Sequence, residues 1–358
     1  MIKNRIKKLR NEFKNFDIDG YVIPKNDEFF SEYSKDDELK IISNFSGSAG
    51  YAVILKNKNF LFVDGRYTIQ AEIESGKHFK IVNYQKIINC NLFKNLTLGL
   101  NPKLFTSTQV NNFFLKNNKI KLLKSSLIDK IFKKKTKLSS PFFSINNNTS
   151  GESFKSKINK ITKYLKKNKS NLIFISAPEN VAWLLNIRGH DNPNSPIPNC
   201  YLILNDRKKI YLIAERKKVQ KLLKEKKINS KQTIEPKKFS SLIKNLKGKN
   251  IIIDQKTCSI FYESLIKKKF KILQKDDPIY MLKAIKNKIE IKNMINAHII
   301  DGVALTKFLY WIKILNKKKI SEFDAQIKLE KFRKNNRNYL YPSFNTISAT
   351  GSMSYCPL

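Results

Sequence analysis

An amphipathic helix followed by a short apolar strand opens this chain and returns after residue 151, a recurrence that limits the fold more than any other feature. Residues 3–15 carry Ile6, Leu9 and Phe13 at helical spacing among lysines, and Tyr21, Val22 and Ile23 form a strand stopped by Pro24. Strand signals at 51–55 and 60–63 flank a polar turn at 56–59, the pattern of a hairpin. A helix at 65–74, strands at 79–82 and 96–100, a helix at 106–115 and a strand at 120–123 complete the first unit. The second unit starts with Ile158, Ile161 and Leu165 on a helix and an apolar strand at 172–175. It continues through a helix at 181–185, strands at 201–204 and 210–213, two Lys-rich helices and a strand at 251–253. The order of elements predicts an internal duplication of one α/β fold.

The expected divisions are a first domain over 1–135, a second over 152–276 and a third segment over 278–358. Ser139, Ser140, Pro141 and the stretch 146–151 between the first two are linker-like in composition. In the third segment Asn287 can cap a helix with Glu290 three residues on. That helix carries Ile291, Ile295, His298, Gly302, Leu305, Leu309 and Ile312 in steps of three and four, which makes His298 an expected hydrogen-bonded core histidine. A second helix is expected at 321–335 and a strand at 343–349. About 80 residues of a new unit are too few to cover a finished core, so the third segment reads as the incomplete start of a domain.

Lys and Arg number 70 against 29 Asp and Glu, giving a formal net charge of +41. The lysines are spread from Lys7 and Lys8 through the run at 133–135 to that at 317–319, without aromatic interleaving on one element. This argues for solvated charge and against a specific nucleic-acid surface, though it leaves weak binding of polyanions at low salt. No run reaches the ~18–20 apolar residues of a membrane span, and the first five residues lack the apolar core of a signal peptide, so the expected compartment is the cytoplasm. Cys90, Cys200, Cys258 and Cys356 are too scattered for a metal-binding pair or a disulfide framework and read as reduced packing residues.

Two stretches stand out as candidates for chemistry. The first runs from Asn44 through Phe45, Ser46, Gly47, Ser48, Ala49 and Gly50 to Val63, Asp64, Gly65, Arg66 and Tyr67. It lacks the ending of a phosphate loop and the G-x-G-x-x-G order, and reads as a tight turn before a strand with Asp64 capping the next helix. The second joins Arg188, His190 and Asp191 to a loop holding Pro193, Pro196 and Pro198. It can either meet an anionic ligand or satisfy its own backbone. With only His78, His190 and His298 available as bases, no G-x-S-x-G elbow and no H-E-x-x-H, residue types alone assign neither a catalytic residue nor a metal ligand.

The words themselves are more specific. Phe45 to Gly50 with 63–67, Trp183 to Gly189 with Asp191 and its Pro-rich tail, and Lys283, Ala284, Ile285, Lys286 and Asn287 leading to Ala297, His298, Asp301 and Gly302 occur in that order. Followed by Pro342, Ser343, Phe344, Asn345, Thr346, Ile347 and Ser348, they closely resemble the three-domain Xaa-Pro aminopeptidases, or aminopeptidase P, over nearly the whole chain. The resemblance implies two creatinase-like N-terminal domains and the start of a pita-bread catalytic domain. It implies release of the first residue from short peptides with proline second, by two divalent metal ions, usually manganese, and a homodimer in the complete protein. The family's metal ligands, two Asp, one His and two Glu, all fall downstream of 343–349, so none transfers to this chain. Where the family continues through Thr-Gly to a catalytic His, this chain reads Thr350, Gly351, Ser352, Met353, Ser354, Tyr355 and Cys356, the kind of break a frame error or premature stop produces. The resemblance thus implies a truncated member, inactive alone, with Arg66, Arg188, His190 and Asp191 as candidates for the substrate entrance. The alternative it leaves is a catalytically silent, creatinase-like protein- or peptide-binding module.

Overall fold

A computed structural model describes residues 2–31, 33, 37–88, 91–132, 140–315 and 320–349. The lysine runs at 133–135 and 317–319, Ser139, Cys90, Cys356 and the divergent stretch 350–356 lie outside the described residues. Ile2, Ile6, Leu9 and Phe13 recur at steps of three and four, so α1 (Ile2–Asn15) buries one face and leaves its lysines in water. Burying each such side chain contributes about 1.5–3 kcal/mol.

The first sheet comprises β1 (Gly20–Pro24), β2 (Gly50–Leu55), β3 (Asn59–Val63), β4 (Lys80–Asn83), β5 (Thr97–Leu100) and β6 (Lys119–Leu122), in the order β4-β3-β2-β1-β5-β6. Alternation along its strands sends Ala52, Ile54, Leu61 and Val63 to one core and Tyr51, Val53, Phe60 and Phe62 to the other. The first core is covered by α1, α2 (Glu38–Ser43), α3 (Thr68–Ser75) and α5 (Leu127–Ile131), the second by α4 (Ser107–Val110) and the π turn that extends it over Asn111–Leu115. The helix expected at 65–74 is a 3₁₀ turn, Gly65–Tyr67, leading into α3, and the helix at 106–115 changes pitch after Val110.

A two-residue pairing of β7 (Phe143–Ser144) with β9 (Ile187–Arg188) lies beside the second sheet. That sheet comprises β8 (Leu172–Ile175), β10 (Tyr201–Asn205), β11 (Ile210–Ile213), β12 (Thr233–Ile234), β13 (Asn250–Ile253) and β14 (Lys271–Gln274), ordered β12-β11-β10-β8-β13-β14. Position by position this is the order of the first sheet. The senses agree too: β8 is antiparallel to β10 and parallel to β13 as β1 is antiparallel to β2 and parallel to β5. One face packs on α7 (Phe154–Lys167), α8 (Pro178–Leu185) and α9 (Arg216–Lys224), the other on α10 (Phe239–Asn245) and α11 (Ile260–Lys267). Between β7 and α7 sits α6 (Asn147–Ser150).

The remainder is helical: α12 (Ile279–Ala284), α13 (Lys288–Ile314) and α14 (Glu322–Lys334). Asn287 and Glu290 form the expected reciprocal cap at the start of α13. The strand expected at 343–349 is not one: these residues are irregular, with bends at 343 and 344 and no ladder partner among the described residues. A β pattern needs a neighbouring strand before its backbone groups can pair. His298 is likewise exposed, its Nδ1 2.8 Å from the carbonyl of Met294 on its own helix, in place of the expected core position.

Candidate functional site

The loop after α8 is where three parts of the chain meet. Helix α8 ends at Leu185, and its C-cap Asn186 is a non-glycine residue held left-handed at φ 51°, which turns the chain out of the helix into β9. Gly189 then donates its N–H to Pro196 O at 3.1 Å, and a Cβ there would fall 2.8 Å from Pro198 Cα, so only glycine closes this loop without displacing backbone. Ser31 Oγ of the first unit donates to Asn192 Oδ1 at 2.8 Å, and Asn194 Nδ2 donates to Asn345 Oδ1 at 3.2 Å in the third segment.

The four entrance candidates separate on this scaffold. Arg188 is half-buried, and its guanidinium donates to Ala182 O at 3.3 Å and Ile187 O at 2.9 Å; burial lowers its pKa, with Glu290 acting in the opposite sense. Asp191 accepts from Asn199 N at 2.7 Å and pairs with Lys218 Nζ at 2.8 Å, with both side chains almost buried. These two satisfy the loop and its neighbours, the plainer of the two roles their residue types allow. His190 is exposed, stacks on Phe143 at 5.2 Å between ring centroids and faces Tyr341 edge-on at 6.5 Å. Arg66 belongs to the other sheet's unit, where it is solvent-exposed, lies over Tyr67 and pairs with Asp64 at 2.9 Å.

Asp64 accepts from Arg66 N at 3.0 Å, the capping expected of it, and this carboxyl is held below its usual pKa first by the Arg66 side chain and then by that backbone bond. Gly50 is required by close approach: a Cβ would lie 2.9 Å from Phe62 O across the β2–β3 ladder. The structure thus brings Arg188, His190 and Asp191 into one loop beside Tyr341 and Asn345. It leaves Arg66 on a separate turn.

Reading the sequence missed a buried polar group below this loop. Lys157 is 1% exposed; its Nζ donates to Trp183 O at 3.0 Å and Asn186 Oδ1 at 2.7 Å and lies 4.0 Å above the Trp183 ring. Burial pushes its pKa down to about 8, against the pull of Glu290 and Glu152. The signal was present, since Lys157 stands four residues before Ile161 on the apolar stripe of α7. Near the same loop Tyr341 Oη and Asn199 Oδ1 are buried without a protein partner among the described residues, the kind of atom that marks a place for further polar contact. Among the described residues no group of three or more His, Cys, Asp or Glu could hold a metal ion, so these side chains do not fit a dinuclear centre. Cys200 and Cys258 are buried thiols whose pKa burial pushes up.

Comparison with known proteins sets this geometry in context. Residues 5–126 and 133–290 each match a model of the creatinase/prolidase N-terminal domain. The chain is 32% identical to Xaa-Pro aminopeptidase 1 of Dictyostelium discoideum over 97% of its own length and 60% of that protein. It is 30% identical to Xaa-Pro aminopeptidase ApepP of Drosophila melanogaster, over 93% and 58% respectively. The fold superposes on the X-prolyl aminopeptidase of Caenorhabditis elegans, described as a cytosolic enzyme with a di-nuclear active site, with a TM-score of 0.86 at 23% identity. That match covers 98% of this chain and 62% of the other. The chain therefore spans about 60% of the length of the curated relatives it matches.

Proposed function

This chain belongs to the Xaa-Pro aminopeptidase family, and on that premise we propose that it supplies the two N-terminal units and the first helices of the catalytic unit of a longer Xaa-Pro aminopeptidase. The observation that carries this reading is identity of 32% maintained over 97% of the chain, through both sheets and on into the helical segment. The apolar surface of α13 supports it. Ile295, Ile299 and Leu309 are each more than half exposed, although a helix apolar on nearly every side is ordinarily covered by further chain.

In the whole protein the substrate is a short peptide with a free N-terminus and proline second. Its scissile bond is a tertiary amide without an N–H. Two divalent ions, manganese by preference, would supply a hydroxide and polarise the carbonyl there. Among the described residues no group of three or more His, Cys, Asp or Glu is placed to hold those ions, so no step is assigned to the residues of this chain. Their part is at the entrance, where His190, stacked on Phe143 and flanked by Tyr341, offers an aromatic wall and Arg188 and Asp191 hold the loop that carries it. Two of the longer chains form the homodimer proposed for the complete protein, in the cytoplasm.

Assay of the purified 358-residue chain and of a longer product from the same gene on an Xaa-Pro peptide, with manganese, tests the reading. The expected result is release of the first residue by the longer product alone. Release by the 358-residue chain would remove the idea that it is an inactive portion. Release by neither would favour a catalytically silent peptide-binding protein.

A further inference from the structure

Three helix ends converge on one polar node, buried at Lys157 and Asn186 and more exposed towards Asn293, between the second sheet and the third segment. Helix α8 is capped by Asn186, whose Nδ2 donates to Ser150 Oγ at 3.1 Å and Glu152 O at 2.8 Å. Helix α6 ends at Ser150 and Gly151, and its last carbonyls would be unpaired without help. That help comes from α13: Asn287 Nδ2 donates to Ser150 O at 2.9 Å, and Asn293 Nδ2 donates to Asn148 O and Thr149 O, each at 3.2 Å. Asn287 does this while its Oδ1 caps its own helix, accepting from Ile289 N and Glu290 N at 3.0 Å each.

The charges agree with the helix dipoles. Lys157 sits at the carbonyl end of α8 and Glu290 in the first turn of α13, each at the end that favours its sign. Clearance is minimal as well. Gly151 has φ +68°, and a Cβ on it would lie 2.1 Å from Asn287 Oδ1.

We propose that Lys157, Ser150, Gly151, Asn186, Asn287 and Asn293 form a clamp that sets the direction of α13 relative to the second sheet, and so act as positioning residues for the unit that α13 begins. The consequence for catalysis rests on the peptidase reading above; the clamp itself does not. A helix of 27 residues is a long lever, so loss of its anchor at one end moves the other end by the largest amount.

The test uses the full 358-residue chain with spin labels at Lys244→Cys on α10 and Lys313→Cys near the far end of α13, Cys90 and Cys356 being replaced by Ser. Pulsed electron resonance then reads the distance distribution. Asn287→Ser keeps the cap and removes the tether. The expected result is unchanged helical content by circular dichroism with a distribution about twofold broader or displaced, and the same for Gly151→Ala, which drives a methyl group against Asn287. Should Gly151→Ala not fold, Asn293→Ala at the exposed end of the contact provides the second variant, with a smaller broadening expected. Distributions in Asn287→Ser and Asn293→Ala that match the parent would overturn the clamp. Absence of peptidase activity in the longer protein would leave this measurement unaffected, so the two readings fail separately.

Discussion

Asp277 shows how one buried carboxyl connects packing to pH. Its Oδ2 accepts from Asn180 Nδ2 at 2.8 Å and its Oδ1 from Ile279 N at 2.9 Å, yet burial dominates and pushes its pKa up to about 6 from 3.8. The folded state therefore holds a proton more tightly than the unfolded state over that interval, and stability from this group rises as pH falls from about 6 towards 4. Asp277→Asn removes the titration. Urea unfolding of the two proteins should show the parent gaining about 2 kcal/mol relative to the variant between pH 7 and pH 4.5. A difference independent of pH would contradict the assignment. Nothing in the sequence marks Asp277 as buried, because a pair of carboxylates beside a proline carries no sign of what lies above it. Asp276, the residue before it, is the solvated one and pairs with the exposed Lys256.

Among elements, the loop from Asn186 to Asn199 is fixed at a few points, and Asp191 ties it to α9 through Lys218. Removing that carboxylate leaves Lys218, whose side chain is only 12% exposed, without its counter-ion and Asn199 N without its acceptor. Asp191→Ala is expected to cost about 2–4 kcal/mol in thermal or denaturant unfolding. A change under about 0.5 kcal/mol would mean the loop is held elsewhere. Local elements of this kind were legible to different degrees. The faces of α1 and α7 were readable because Ile6, Leu9 and Phe13, like Ile158, Ile161 and Leu165, record the helical period directly. The cap at Asn287 was readable because both partners lie within one turn. The role of Lys157 was not, since its partners Trp183 and Asn186 come from another helix, and the irregular course of 343–349 was not, since pairing depends on chain elsewhere.

In the whole molecule, the two units exchange side chains. Ile260 of the second unit is buried in a core of the first, while Phe29 of the first stacks on Tyr201 at 4.9 Å against a core of the second. Ile260 N also donates to Phe105 O at 2.9 Å and Tyr201 Oη to Glu28 O at 2.7 Å. Duplication was visible in the order of elements, but this exchange was not, because nothing in a single pattern says which neighbour will cover it. The third segment differs: α13 and α14 hold each other through Asp301 and Arg333, at 2.6 and 3.1 Å, with much apolar surface facing outward. That surface and the match to about 60% of its relatives' length make a longer protein the central claim. The most direct test is the intact mass of the native protein from its own cells. The account predicts a mass well above the 41.7 kDa of this chain, and a native mass of 41.7 kDa would contradict it.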